Sequence, residues 1–332
     1  MSKKIIVIAI LIPVLFTISC ASRHNNVLTT ETENEEIKVV PLKEDNNTDS
    51  SISEESADTY TPPSKGDDSD STSNDHDVTI TKGDEFYEDF RIGNVMHSSD
   101  DLPDLQFQIY IPESYNSTEP YALYTVLPGF GGYYVEGEKP GHNVMGSERY
   151  AINSRLYNEK MIVVAPQLES YENQMDLEQE EQVHAEQVIR LTQYLLSKYN
   201  VDNNRKYISG YSRGGEVMSL ICSERPDLYS AALCISSTWR GDVSVITANH
   251  LPVYFVIGES DEFYGSEPFK QTYEEIVSAY KREGLTDEEI SQLVVLDIKG
   301  PDYFDSDEYD NQHSGAKLFA FDESVMKWLV TR

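Results

Sequence analysis

The sequence predicts an α/β fold, with a mostly parallel central sheet flanked by helices. The first sign is a set of strand-length apolar runs. Tyr121 to Leu127, Met161 to Ala165, Ala231 to Ile235 and Pro252 to Gly258 are apolar nearly throughout, as strands covered on both faces must be. The second is helical periodicity between such runs. In 178–199, Val188, Leu191, Leu195 and Tyr199 fall on one face, with Thr192 and Leu196 alongside. The third is punctuation by Pro112, Pro128-Gly129, Pro166 and Gly284. Strands alternating with helices imply βαβ units with right-handed crossovers. Working loops are then expected at the carboxyl ends of the strands.

Residues 1–20 read as an export signal. Lys3 and Lys4 supply the positive start, and Ile5 to Phe16 an apolar run too short for a comfortable membrane span. The run ends Thr17-Ile18-Ser19-Cys20-Ala21, which resembles the lipobox of bacterial lipoproteins, with Thr17 where leucine is usual. That resemblance implies lipidation of Cys20 and anchoring to the bacterial cell envelope, with the remaining chain facing outward. An ordinary cleaved signal is the alternative. Residues 21–81 are dominated by Asn, Thr, Ser, Asp and Glu, as in Glu44-Asp45-Asn46-Asn47-Thr48-Asp49-Ser50. So few apolar side chains cannot offset chain entropy, so a disordered acidic linker is expected, leading to one folded domain at 82–332.

In that domain 85–95 is expected to lead in as one or two strands. Leu105 to Ile111 alternates apolar and polar, and Pro112 ends it. A strand over 206–209 precedes a helix through Met218, Leu220 and Ile221. A helix over 267–282 stops at Gly284, a short helix follows over 288–292, and 293–298 is the last strand. A closing helix spans 321–330. About fifteen residues separate the strands ending at Ser236 and starting at Leu251, too few for a large lid domain.

The chemistry gathers at Lys206-Tyr207-Ile208-Ser209-Gly210-Tyr211-Ser212-Arg213-Gly214-Gly215. Gly-x-Ser-x-Gly between a strand and a helix is the nucleophile-elbow pattern, in which serine occupies a strained turn and its neighbours two positions away must be small. The helix N-terminus behind it favours negative charge developing there. A neutral hydroxyl needs a base, and the base needs a group to fix its tautomer. Of seven histidines, His313 stands between the last strand and the last helix, where a loop delivers an imidazole to the serine's side of the sheet. Asp261, just past the strand 252–258, is the expected acid, with Glu259 and Glu262 as rivals. Cys222 and Cys234 are read as separate buried thiols or as a disulfide, and neither suits a zinc site.

The order Ser212, Asp261, His313 resembles that of the α/β-hydrolase superfamily. The stretches 201–215 and 225–232 resemble secreted esterases of the feruloyl-esterase and polyhydroxybutyrate-depolymerase type, and proteins loosely described as prolyl-oligopeptidase-like. The resemblance covers roughly 100–330. It implies an α/β-hydrolase fold without a large lid domain and a serine carboxylic-ester hydrolase working without metal or organic cofactor. It also implies an oxyanion hole from the backbone N–H groups of Phe130 and Arg213. One such donor contributes about 2.7–4 kcal/mol to acyl transfer. Pro128 stands where the family often has histidine, and Arg213 where it often has an apolar residue. The Arg213 guanidinium could pair with a carboxylate of 302–308 or contact substrate.

The net charge of −32, from 58 acidic and 26 basic residues, argues against nucleic acid or an anionic membrane surface as partner. Membrane contact is expected only through Cys20. Tyr133, Trp239 and Tyr303 are candidate substrate-binding aromatics, suited to sugar or phenolic groups. Neutral esters on polysaccharides, such as acetyl or feruloyl groups, are the expected substrates. A serine peptidase of the same fold and a non-catalytic surface binding protein are the alternatives.

Overall fold

The computed structural model describes residues 38–41, 59–60, 80–81, 93–97, 102–129, 148–171, 175–304, 309 and 311–332. The expected export signal, Cys20, most of the linker, Phe130 and Tyr133 lie outside the described residues. The described strands are β1 (Lys38–Pro41), β2 (Thr59–Tyr60), β3 (Ile80–Thr81), β4 (Gly93–His97), β5 (Leu105–Tyr110), β6 (Tyr121–Leu127), β7 (Met161–Gln167), β8 (Val201–Tyr211), β9 (Ala231–Ile235), β10 (Val253–Gly258) and β11 (Val294–Lys299).

Nine of them form one sheet in the order β1-β4-β5-β7-β6-β8-β9-β10-β11, while β2 and β3 pair with each other. Every pairing from β7 through β11 is parallel, and β1, β4 and β5 add antiparallel pairings at one edge. The short strands β1, β2 and β3 fall within the segment expected to lack regular structure. Val39 and Val40 give β1 the β-branched residues that suit a strand, and β1 forms the edge of the sheet, paired with β4.

The helices are α1 (Glu148–Ser154), α2 (Leu177–Lys198), α3 (Arg213–Glu224), α4 (Val243–Ala248), α5 (Glu267–Glu283), α6 (Asp287–Leu293) and α7 (Glu323–Val330), with 3₁₀ turns at Pro301–Phe304 and Ser314–Phe321. Along β6 the side chains sort by parity. Leu123 and Leu127 join one apolar layer with Val188, Leu191, Val217, Ile221 and Phe269 from α2, α3 and α5. Tyr124 and Val126 join a second with Tyr150, Phe319, Met326 and Leu329 from α1, the second 3₁₀ turn and α7. Two covered faces explain why β6 is buried at every residue. Each large apolar side chain so enclosed contributes about 1.5–3 kcal/mol.

Helix α2 starts in a capping box. Asp176 accepts from Gln179 N, and Gln179 reaches back to Asp176 N. Between β9 and β10 lies only the six-residue helix α4, so no large lid interrupts the sheet there. Cys222 and Cys234 are both free and buried, and burial pushes the Cys222 thiol up to about 12.

Candidate active site

Three strand ends converge. β8 runs into Ser212, which takes φ 54° and ψ −124° as the N-cap of α3. A non-glycine residue at positive φ stores on the order of 1–3 kcal/mol, so its surroundings must hold it there. Ser212 N donates to Ile235 O at 2.9 Å, and Ser237 Oγ donates to Ser212 O at 2.6 Å. The two motif glycines are required sterically. A Cβ on Gly210 would lie 2.2 Å from Gly214 O, and one on Gly214 would lie 2.4 Å from Pro128 O.

The turn after β10 supplies four consecutive residues that grip the loop after β11. Asp261 Oδ1 accepts from Phe263 N at 3.1 Å and Tyr264 N at 3.0 Å, and Asp261 Oδ2 accepts from His313 Nδ1 at 2.9 Å. Burial opposes ionisation of this carboxyl. The bonds from His313 and the two amides outweigh burial and hold it below the usual carboxylate value. With Nδ1 donating, Nε2 is the acceptor, and it stands 3.0 Å from Ser212 Oγ. Glu262 accepts from the backbone N–H of Gln312 at 3.2 Å and of His313 at 3.1 Å. The Phe263 ring lies 4.6 Å from the imidazole, centre to centre, and Tyr264 lies at 5.7 Å. The Tyr264 hydroxyl interacts with Ser212 and with Glu216, and burial pushes its phenol up. Tyr211 stacks on the imidazole at 5.3 Å, and its hydroxyl donates to His313 O at 2.9 Å.

Ser212, Asp261 and His313 are therefore brought together. Of the rivals for the acid, Glu262 holds the His313 backbone rather than its ring. Glu262→Gln keeps one acceptor oxygen and should lower kcat about tenfold, because a displaced base loses near-attack geometry. Steady-state kinetics checks this, and an unchanged kcat would deny Glu262 that role.

The other described histidines are engaged elsewhere. His97 pairs with Asp104 and His250 with Glu283. His184 is buried on α2, where its Nε2 donates to Glu169 O at 2.8 Å, and burial lowers its pKa to about 4.

Three further side chains singled out in the sequence lie as follows. The Arg213 guanidinium is buried beside two carboxylates that the sequence did not single out for it. It lies 2.9 Å from Glu180 Oε1 and 3.9 Å from Glu181 Oε1, on the first turns of α2. Trp239 is no rim residue, because the chain after β9 folds back and seats its ring against Phe255 in the core, centres 5.7 Å apart. Tyr303 packs against Phe304 and Phe319, and its hydroxyl turns to Leu318 O and Asp322. Phe263 and Tyr264 were missed as site residues, and Glu262 was read only as a rival for the acid. Their only sequence signal is position, directly after the acid in the turn that must meet the histidine loop.

The fold and this serine turn define the class as the α/β-hydrolase type. The family model described as "Putative esterase" matches residues 103–292, more than half of the chain, and the chain belongs to that esterase family. No curated protein matches the sequence. Among solved structures, a thermostable esterase aligns with a TM-score of 0.58 at 20% identity, over 76% of this chain and 65% of its own. The match thus spans somewhat less than two-thirds of that esterase. Esterase 2 from the Planctomycetes species Thermogutta terrifontis aligns with a TM-score of 0.47 at 16% identity, over 71% of this chain and 92% of its own. Oligopeptidase B from Leishmania major aligns with a TM-score of 0.49 at 13% identity, over 75% of this chain and 38% of its own.

Proposed function

We propose that the chain is a serine carboxylic-ester hydrolase working through an acyl-enzyme. The observation that carries this reading is the unbroken chain of hydrogen bonds from Ser212 Oγ to His313 Nε2 at 3.0 Å and from His313 Nδ1 to Asp261 Oδ2 at 2.9 Å, set on a strained strand-to-helix turn. Ser212 Oγ attacks the acyl carbon as its proton passes to His313 Nε2. The carbonyl oxygen becomes an oxyanion, held by the backbone N–H groups of Phe130 and Arg213. The bond to the alcohol oxygen breaks, and His313 returns the proton to it. Water then repeats both steps on the acyl-serine. Asp261 keeps the proton of the resting imidazole on Nδ1 and stabilises the imidazolium.

Neutral acetyl or feruloyl esters on polysaccharides are the proposed substrates. The large excess of negative charge, −32 overall, disfavours anionic ones. An N-terminal lipid on Cys20 and the acidic segment 21–81 would hold the domain outside the cell, within reach of such polymers.

A fluorophosphonate probe tests the reading. It should form one covalent adduct, located by peptide mass spectrometry on Ser212, and p-nitrophenyl acetate should be hydrolysed. A folded protein that takes no label there rules the hydrolase out.

A further inference from the structure

The ring of Phe263 is 74% exposed, although it sits 4.6 Å, centre to centre, from the imidazole of His313 at a tilt of 45°. Most apolar side chains of this size among the described residues are enclosed. Covering such a ring contributes about 1.5–3 kcal/mol, so an exposed one beside the reacting atoms has binding energy to offer. Its backbone is held in place, since the Phe263 N–H donates to Asp261 Oδ1 at 3.1 Å. The carboxylate that orients the imidazole therefore also anchors the backbone that carries the ring, which lowers the cost of ordering this turn on binding.

The chemistry says which part of a substrate meets it. In an ester hydrolase the imidazole returns its proton to the departing alcohol oxygen, which must come within about 3 Å of Nε2. Groups around the imidazole therefore border the alcohol moiety, while the acyl chain leaves the carbonyl carbon in another direction. We infer that Phe263 is a specificity residue for the alcohol half of the ester, and that it takes a sugar ring, whose C–H face packs on the exposed aromatic face. This rests on the ester-hydrolase reading above. It also accounts for acetyl and feruloyl esters alike, because both leave the same kind of alcohol behind.

The test uses the full domain and two acetates, an acetylated methyl xyloside and methyl acetate, which share the acyl group and differ in the alcohol. Phe263→Ala should lower the ratio of their kcat/KM values about tenfold, the discrimination one apolar contact supplies. Phe263→Trp should restore the ratio. A second ratio, acetate against butyrate on the same sugar, should not follow the first. An unchanged alcohol ratio, or equal losses on both acetates, overturns the inference and leaves the ring as support for His313 alone. A wild-type protein that takes no fluorophosphonate label on Ser212 overturns the hydrolase reading and this inference together.

Discussion

Asp261→Asn should fold normally and hydrolyse esters about 10⁴-fold more slowly. The carboxylate accepts from His313 Nδ1, which obliges Nε2 to be the acceptor that faces Ser212. An amide in the same place can present its NH₂ group instead. The ring proton then moves to Nε2, and the serine faces a donor. Single-turnover hydrolysis of an activated acetate measures the loss, and a variant within tenfold of wild type would remove Asp261 from the mechanism. The pH dependence has a defined sign. Burial works against the ionised form, but the bonds from His313 and the amides of Tyr264 and Phe263 prevail, and the native carboxyl titrates below its ordinary value. A depressed native pKa contributes stability above the unfolded value of about 4, which is lost as pH falls through the native value. The stability gap between wild type and Asp261→Asn should therefore narrow as pH drops below about 4, as thermal melts at several pH values would record.

The legible part of this protein is the part made of strands buried on both faces. Tyr121–Leu127 and Ala231–Ile235 have the same bounds in the sequence reading and in the structure, because nothing polar can extend a strand that both layers enclose. Pro166 was read as ending its strand, yet β7 continues to Gln167. Past Val164 that strand has no register partner on β6 and pairs with β5 alone, and a missing N–H is tolerated where only one side is bonded. Helices α1 and α4, of seven and six residues, are too short to display a period.

The convergence of Ser212, Asp261 and His313 could be read because the first two stand just beyond a strand, the third lies on the loop after the last strand, and the order of strands is fixed by the fold. The residues that grip His313 could not be. The role of Glu262 and the place of Phe263 cannot be told from those of any turn residues until the loop after β11 is folded onto them. Trp239 misled for the same reason, since a loop that doubles back buries a ring the sequence places outside.

Arg213→Met should destabilise the domain by about 3–5 kcal/mol, the cost of leaving one member of a buried ion pair without its partner. The guanidinium is 8% exposed and stands 2.9 Å from Glu180 Oε1, whose side chain is fully enclosed. Glu180 Oε2 already accepts from Tyr171 N at 2.8 Å, so methionine leaves the carboxylate with that amide in place of a cation. Urea unfolding of Arg213→Met, Glu180→Gln and the double variant separates the pair from its parts, and the double variant should recover much of the loss. Losses that simply add would deny the coupling. Glu181 supplies the pH signature. Burial raises its pKa, while Arg240 and Arg213 oppose that rise. A carboxyl raised in the fold binds its proton more tightly folded than unfolded, so stability falls as pH climbs from the ordinary value towards the native one. Without Arg213 that window should extend to higher pH. Arg213 also carries the amide proposed to hold the oxyanion. Its side chain ties the first turn of α3 to the start of α2, so the same ion pair steadies that amide.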